Sequence, residues 1–515
     1  MTKKQRPLKA SEASVLTSDP DNLSRSKALR LTLSPSLRMT QPIKFGTDGW
    51  RAVIARDYTF DNLERVTRAT ARWLRAQHGG RPWTVVLGHD TRFMGRLFAE
   101  HTARVLASEG GRILFAEGFT PTPAISWATQ AYAAAAGIVI TASHNPPEYN
   151  GFKIKSSFGA PASPEMIAAV EAEVQPLDPE APVLAAFEAL CAEGVVARRG
   201  VRADYLTLLR ERLDVEAIAG AGIKVAHDAM YGSGQGVVSA LLGEDRVVAL
   251  RSTVNPGFHG QAPEPIERNL GGLSETVVRE GCAAGLANDG DADRIGMCDE
   301  TGTFVTSHQI LALLVKYLHE ERGLRGSIVK TFSTTHMLDA MGAAYGLPVE
   351  TLPIGFKYIA PRILQGDVLV GGEESGGIAV KGHLPERDGL YIGLLVVEMM
   401  VKRGKPLSAL VQELFDAFGP HHYHRVDVRT TEAKKQRVLT RLRDEGGLTE
   451  IDGHRVEQVE TLDGYKHRTA GGWLLVRPSG TEPVLRIYAE AASAEAAQAL
   501  VQNAVEQLGV ADGVH

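Results

Sequence analysis

The sequence predicts an α/β protein made of three related mixed or parallel α/β domains followed by an α+β domain. Short apolar, β-rich runs that end in polar residues alternate with longer helical patterns from Ile43 onward, this alternation restarts twice, and the C-terminal stretch changes in kind. In the first unit WTVVLGHD (Trp83 to Asp90), GRILFAEGF (Gly111 to Phe119) and GIVITASH (Gly137 to His144) read as strands, with a helix such as Leu97 to Gly110 between them. That is the βαβ pattern of a sheet covered on both faces. A second unit starts at IKVAHDAMYGSGQG (Ile223 to Gly236), where a strand runs into a glycine loop and then a helix, and a third at GSIVKTFSTTHML (Gly326 to Leu338). At the end, HHYHRVDVRT (His421 to Thr430), WLLVRPSG (Trp473 to Gly480) and PVLRIYAEA (Pro483 to Ala491) read as strands beside helices. Boundaries near residues 200, 300 and 415 give domains at 41–200, 201–300, 301–415 and 416–515.

Residues 1–40 stand apart: eight Lys and Arg face Glu12, Asp19 and Asp21 among many Ser and Pro, with little apolar periodicity. They are expected to form a disordered basic tail, and Met39 is an alternative natural start. The 515-residue chain is 44% hydrophobic and 23% charged, ordinary for a globular protein with several cores. No run approaches the ~18 apolar residues of a membrane span, and no apolar signal core opens the chain, so a cytoplasmic protein without membrane partners is expected. Three scattered cysteines, Cys191, Cys282 and Cys298, exclude a disulfide framework or a thiolate zinc site. A formal charge of −5 argues against nucleic acid as a partner.

Ligands of open parallel sheets gather at the carboxyl ends of strands, and four unusual clusters fall there. TASHNPPEYNGFKIK (Thr141 to Lys155) ends a core strand on Ser143 and His144 and returns with Lys153. It reads either as an activated hydroxyl with a nearby base or as a polar turn that satisfies its own backbone. NDGDADRIG (Asn288 to Gly296) alternates Asp289, Asp291 and Asp293, which an extended chain would point to one side. Three such carboxylates call for a cation, and an all-oxygen set suits Mg²⁺; Arg294 at the position where a calcium loop needs glycine argues against that loop type. VGGEESGGI (Val370 to Ile378) offers Glu373 and Ser375 on a glycine-rich turn, with HLPERDG (His383 to Gly389) following it. RPSGTEP (Arg477 to Pro483) combines an Arg fork, the hydroxyls of Ser479 and Thr481 and the Gly480 N–H, a cup suited to a phosphate dianion.

With FGTDGWR (Phe45 to Arg51) ahead of them, these motifs in this order resemble the α-D-phosphohexomutases, which comprise phosphoglucomutase, phosphomannomutase and phosphoglucosamine mutase. The resemblance runs from about Phe45 to the C-terminus and implies four domains around a central cleft. It further implies that Ser143 carries the transferable phosphoryl group and that Asp289, Asp291 and Asp293 hold one Mg²⁺ with an oxygen of that phosphate. Arg294 would steady the phosphoserine; Arg51, His144 and Lys153 would line the reacting centre, Lys153 carrying the proton. Glu373 and Ser375 would read sugar hydroxyls, and Arg477, Ser479, Gly480 and Thr481 would hold the phosphate that does not react. A hexose phosphate substrate, a glucose 1,6-bisphosphate intermediate and activator, and a monomer or homodimer follow from the same resemblance.

Two departures matter. Where some members of the family have histidine after the glycine of PIGFKYI (Pro353 to Ile359), this chain has Phe356 and then Lys357, so Lys357 is assigned to substrate binding only. The sugar loop reads Glu-Glu-Ser, closer to phosphoglucomutase forms than to the Glu-Met-Ser or Glu-Gln-Ser of the manno and glucosamine enzymes, and this favours glucose phosphates. A metal-dependent phosphomonoesterase and a non-catalytic phosphosugar-binding protein are the other readings; His421, His422 and His424 are expected at a strand edge or on the surface rather than on a metal.

Overall fold

Apolar runs long enough to be buried on both faces set the first sheet. Thr84–His89 lies between Arg112–Ala116 and Ala136–Ile140 and is parallel to both, and Val196–Arg199 extends the sheet beyond Arg112–Ala116. On the other side Tyr149–Ser156 and Trp50–Val53 add antiparallel strands, Val139 facing Lys153 and Arg51 facing Gly151. All five residues of Ala136–Ile140 are buried, which is why that run shows no polar alternation. The computed structural model describes residues 43–46, 48–178, 180, 183–444, 446–479 and 483–513. The expected basic tail lies outside them.

The second sheet sets Val247–Leu250, Val225–Asp228 and Ala284–Asn288 in parallel, then Ile295–Asp299 and Phe304–Val305 antiparallel. The third sets Val349–Leu352, Ser327–Thr331 and Val368–Gly372 in parallel, then Ile378–Val380 antiparallel. One device recurs in all three. A buried parallel strand stops, makes a short loop and returns as its own antiparallel neighbour: Ala136–Ile140 to Tyr149–Ser156, Ala284–Asn288 to Ile295–Asp299, and Val368–Gly372 to Ile378–Val380. The loops so formed hold Ser143, the three aspartates, and Glu373 with Ser375.

The last domain is a six-stranded antiparallel sheet with the helices Glu432–Asp444 and Ala494–Gln507. Side chains alternate between its faces. Val428, Leu474, Val476, Leu485, Ile487 and Ala489 form a core with Leu500, Val501 and Ala504 of the second helix. From the opposite face Trp473, Leu475 and Tyr488 pack on Phe332 of the third domain. The Lys466 ammonium lies 4.7 Å from the Phe332 ring centre and 4.2 Å from that of Trp473. The Glu490 carboxylate accepts hydrogen bonds from the Trp473 Nε1–H at 3.0 Å and the His336 N–H at 2.9 Å. An aromatic cluster and a buried carboxylate thus join the third and fourth domains. Among the described residues no helix is long and apolar enough to cross a membrane.

The loops approach one another so closely that two glycines are obligatory. A Cβ on Gly290 would lie 2.5 Å from the Ser143 carbonyl oxygen, and one on Gly376, at φ +86°, would strike the Ile295 carbonyl. Gly290→Ala is therefore expected to destabilise the protein by about 1–3 kcal/mol through forced backbone displacement. Urea denaturation checks this; an unchanged midpoint would mean that the two loops can separate freely.

Candidate active site

Ser143 follows the buried strand Ala136–Ile140 and adopts a left-handed backbone, φ 53°. Its N–H donates to Thr141 Oγ1 at 2.9 Å, and its Oγ donates to Asp289 Oδ2 at 2.7 Å. The bend is held by Arg92, a buried residue that the sequence reading passed over. One Arg92 guanidinium donates to the carbonyls of Ser143 at 2.6 Å, Asn145 at 2.5 Å, Pro146 at 2.8 Å and Tyr149 at 3.0 Å. Asp90 lies 3.3 Å from the Arg92 Nε and also accepts from the Thr141 hydroxyl. Burial pushes the Asp90 carboxyl up to about 6. The signal was in the sequence: HDTR ends the strand Thr84–His89 on polar residues, as TASH ends its neighbour.

Asp289, Asp291 and Asp293 are buried and each offers an oxygen within 4.8 Å of the others. The reason differs from the expected one. The aspartates do not share one side of an extended chain; they sit in a loop between two strands, and Ala292 at φ 60° turns it back on itself. Asp289 Oδ1 accepts from the N–H groups of Asp293 at 3.0 Å and Arg294 at 3.1 Å, while the Thr122 hydroxyl donates to Asp291 Oδ2 at 2.5 Å. Asp291 Oδ1 and Asp293 Oδ1 are buried and have no hydrogen-bond partner among the described residues. Two bare acceptors in an all-carboxylate set fit a hard divalent cation such as Mg²⁺. Burial, together with Asp291 and Asp293, pushes the Asp289 carboxyl well above the usual range.

Lys153 supplies the balancing charge. Its buried ammonium lies 2.7 Å from Asp291 Oδ2, 2.9 Å from Asp293 Oδ2 and 2.8 Å from Asp48 Oδ2. Burial alone would lower its pKa, but the three carboxylates overcome that and raise it. Arg387 pairs with Asp293 at 2.8 Å and also with Asp48. Beside it Glu386 pairs with Lys155 at 2.5 Å, and Asp388 caps the helix Gly389–Arg403 through the Tyr391 N–H. The HLPERDG motif is thus a structural knot that ties the third domain to the first. Asp48, Lys155, Glu386 and Thr122 are further residues of this centre to which the sequence reading gave no role.

Arg51 Nη1 donates to Asn145 Oδ1 at 2.6 Å. His144 Nδ1 lies 3.4 Å from Ser143 Oγ, and burial with the cations Arg294, Arg51, Lys153 and Arg92 holds this imidazole neutral. Among the described residues the Arg294 guanidinium has one carboxylate within ion-pair distance, Glu264 at 3.9 Å, and its buried Nε has no hydrogen-bond partner. Glu373 lies 3.9 Å from Arg387; burial pushes its carboxyl up to about 7 against the pull of Arg387 and Arg294.

Ser143, His144, Arg51, Lys153, the triad and Arg294 are therefore gathered in one place, with Glu373 joined to them through Arg387. Ser375 is half-buried in the Glu373 loop. The Lys357 ammonium lies 5.2 Å from the Tyr358 ring centre, and Arg477 Nε donates to Asp463 at 2.9 Å. The Ser479 N–H donates to the Val484 carbonyl at 2.8 Å. Gly480 and Thr481 lie outside the described residues. His421, just before the edge strand His422–Arg429, pairs with Glu490 through Nδ1 at 3.1 Å.

Four family profiles match in chain order: phosphoglucomutase/phosphomannomutase alpha/beta/alpha domain I over residues 42–180, domain II over 203–302, domain III over 306–418 and the C-terminal domain over 426–507. The chain belongs to the phosphoglucomutase/phosphomannomutase family. A phosphoglucomutase/phosphomannomutase of Thermococcus kodakarensis is 33% identical over 90% of this chain and 98% of its own length. A phosphoglucosamine mutase of Carboxydothermus hydrogenoformans is 31% identical over 90% and 98%. The crystal structure of a putative phosphomannomutase from Thermus thermophilus superposes with a TM-score of 0.79 at 37% identity, covering 91% of this chain and 99% of that one. Members of this α-D-phosphohexomutase superfamily are isomerases that interconvert sugar phosphates, and the buried aspartate triad accords with their dependence on Mg²⁺.

Two outcomes follow from this geometry. Arg92→Lys keeps the charge but loses the fork that spans four carbonyls. It is expected to lower kcat roughly 100-fold through displacement of Ser143, while Arg92→Met, which strands Asp90, costs about 3–5 kcal/mol of stability; steady-state kinetics and urea denaturation check the pair. The Glu373 carboxyl, at about 7 when folded, holds its proton across a pH range in which the unfolded chain has lost it. Its contribution is present below the unfolded value and fades as pH rises to about 7, so Glu373→Gln is expected to flatten the fall in stability over that window. A pH series of denaturation midpoints, wild type against variant, reads this directly.

Proposed function

We propose that the protein is a phosphoglucomutase. It interconverts glucose 1-phosphate and glucose 6-phosphate through phosphoserine 143 and a glucose 1,6-bisphosphate that serves as intermediate and activator. The observation that carries this reading is the 2.7 Å contact of Ser143 Oγ with Asp289 inside a buried triad of aspartates. A hydroxyl placed there would carry a phosphate beside a divalent cation held by the triad, and phosphoryl transfer needs mainly such positioning and charge.

Asp289, Asp291 and Asp293 would hold Mg²⁺. When bound, Mg²⁺ would supply positive charge at the transferred phosphoryl group. Lys153 is the proposed proton carrier: its ammonium would first pass a proton to one of the carboxylates it contacts, and the neutral amine would then take that of the sugar hydroxyl. Arg51 and Arg294, which carry little neutralising charge of their own, stabilise the phosphoryl oxygens, and neutral His144 accepts or donates one hydrogen bond there. Glu373 and Ser375 orient the sugar hydroxyls, with Lys357 a further substrate contact. Arg477, Ser479, Gly480 and Thr481 grip the phosphate at the far end of the hexose, which must be either end of the bisphosphate in turn.

Support for glucose comes from the Glu-Glu-Ser loop. The names of the relatives support phosphomannomutase and phosphoglucosamine mutase as the second reading. Ser143→Ala is expected to abolish interconversion and to remain unphosphorylated after incubation with glucose 1,6-bisphosphate, as read by intact mass, and chelation of Mg²⁺ should abolish turnover by the wild type. Turnover by the alanine variant would overturn the serine assignment. Comparison of kcat/KM for the 1-phosphates of glucose, mannose and glucosamine, with bisphosphate present, tests the sugar: a higher value for mannose or glucosamine would move the assignment to that sugar.

A further inference from the structure

Glu374 is the middle residue of the Glu-Glu-Ser loop, the position at which the sequence suggests glucose. Its carboxylate is engaged elsewhere. Glu374 Oε1 accepts from Arg425 Nη1 of the C-terminal domain at 2.7 Å. Arg425 is itself fixed: its Nε and Nη2 reach the two Asp427 oxygens at 2.8 and 2.9 Å, and its guanidinium lies 5.3 Å from the Tyr488 ring centre. The Glu374 carbonyl accepts from the Ser307 hydroxyl at 2.5 Å, so both ends of the residue are held. The pair is well shielded, with side chains 12% and 29% exposed.

Arg425 lies in the strand His422–Arg429, opposite Tyr488. Tyr488 in turn lies opposite Leu475, two residues before Arg477. These side chains share the sheet face turned away from the C-terminal helices, the face that packs on Phe332. The residue proposed to grip phosphate and the residue that holds Glu374 therefore belong to one rigid sheet surface. The loop Glu373 to Gly377 is short and locked by Gly376, so a shift of Glu374 moves both of its neighbours.

We propose that Glu374 and Arg425 form a clasp through which the C-terminal domain sets the position of the sugar-reading loop, so that Glu374 acts through Arg425 and does not itself touch the sugar. This rests on the mutase reading above and deepens it. Glu374 is a positioning residue: seating of the C-terminal sheet, which carries the phosphate grip, aligns Glu373 and Ser375. The middle position of the loop then governs how well the domains engage; Glu-Glu-Ser marks the phosphoglucomutase forms by resemblance and not through contact of Glu374 with the hexose.

The test uses Glu374→Gln, Arg425→Met and the double variant in the full chain. Each single variant is expected to lower kcat/KM roughly 3- to 30-fold, by the same factor for the 1-phosphates of glucose, mannose and glucosamine. The double variant should be no worse than the poorer single one, and Arg425→Lys should recover part of the loss. Hydrogen exchange of the amides of residues 373–377 should quicken in Arg425→Met. A change in sugar ranking confined to Glu374→Gln, losses that multiply in the double variant, or loop exchange untouched by Arg425→Met would each overturn the clasp. Wild-type protein that converts none of the three sugars would instead refute the proposed activity, and the exchange measurement, which needs no turnover, would still decide the clasp.

Discussion

Everything at the centre of this protein depends on a buried mesh of opposite charges. Asp48, Asp291, Asp293 and Glu386 are met by Lys153, Lys155 and Arg387 within ion-pair distance, and the partners come from different sheets. Desolvating so many ions is costly, and the mesh is tolerable only because most members have several partners, while Asp291 has Lys153 and the Thr122 hydroxyl. Removal of any one would leave an uncompensated charge in the interior. Such an arrangement adds less to net stability than to uniqueness of geometry: it admits one mutual placement of the Ser143 loop, the aspartate loop and the Arg387 segment.

The three α/β domains solve one problem in one way. A parallel strand that turns back as its own antiparallel neighbour must expose a short loop at its carboxyl end, and close-packed glycines let three such loops meet. The aspartate loop is the hub. Gly290 allows it to touch the Ser143 backbone, Gly376 allows the Glu373 loop to lie on Ile295, and the N-terminus of the helix Gly389–Arg403 abuts Arg294. Chemistry assembled from three loops is thereby as rigid as the sheets that launch them.

The electrostatics is divided by distance from the triad. Lys153 and Arg387 are committed to carboxylates, whereas Arg294 and Arg51 keep charge to spare and His144 stays neutral among them. A phosphoryl dianion would find donors on that side and carboxylate-bound metal on the other. Further out, Asp463 accepts from both Arg477 and the Ile354 N–H, so the residue assigned to the distant phosphate is already oriented by a group that bridges to the third domain.

Much of this was legible in the chain. Alternating buried runs announced the α/β units, because a strand covered on both faces must be apolar throughout, and a change in kind, to strands beside helices, announced the C-terminal domain. Ser143, the three aspartates and Glu373 were found because strand ends rarely carry such residues. Arg92, Thr122 and Asp48 were not found, because their importance lies in partners up to 339 residues away, as for Asp48 and Arg387. The convergence of the aspartates was expected for the wrong reason, since the left-handed turn at Ala292 is not a property of its side chain. Local pattern determined which segments are strands and which loops are chemically unusual, because burial and backbone preference act on neighbours in sequence. Tertiary structure alone decided which charges neutralise one another and that Glu374 answers to Arg425, because Coulomb interaction depends on separation in space, and the fold sets that separation.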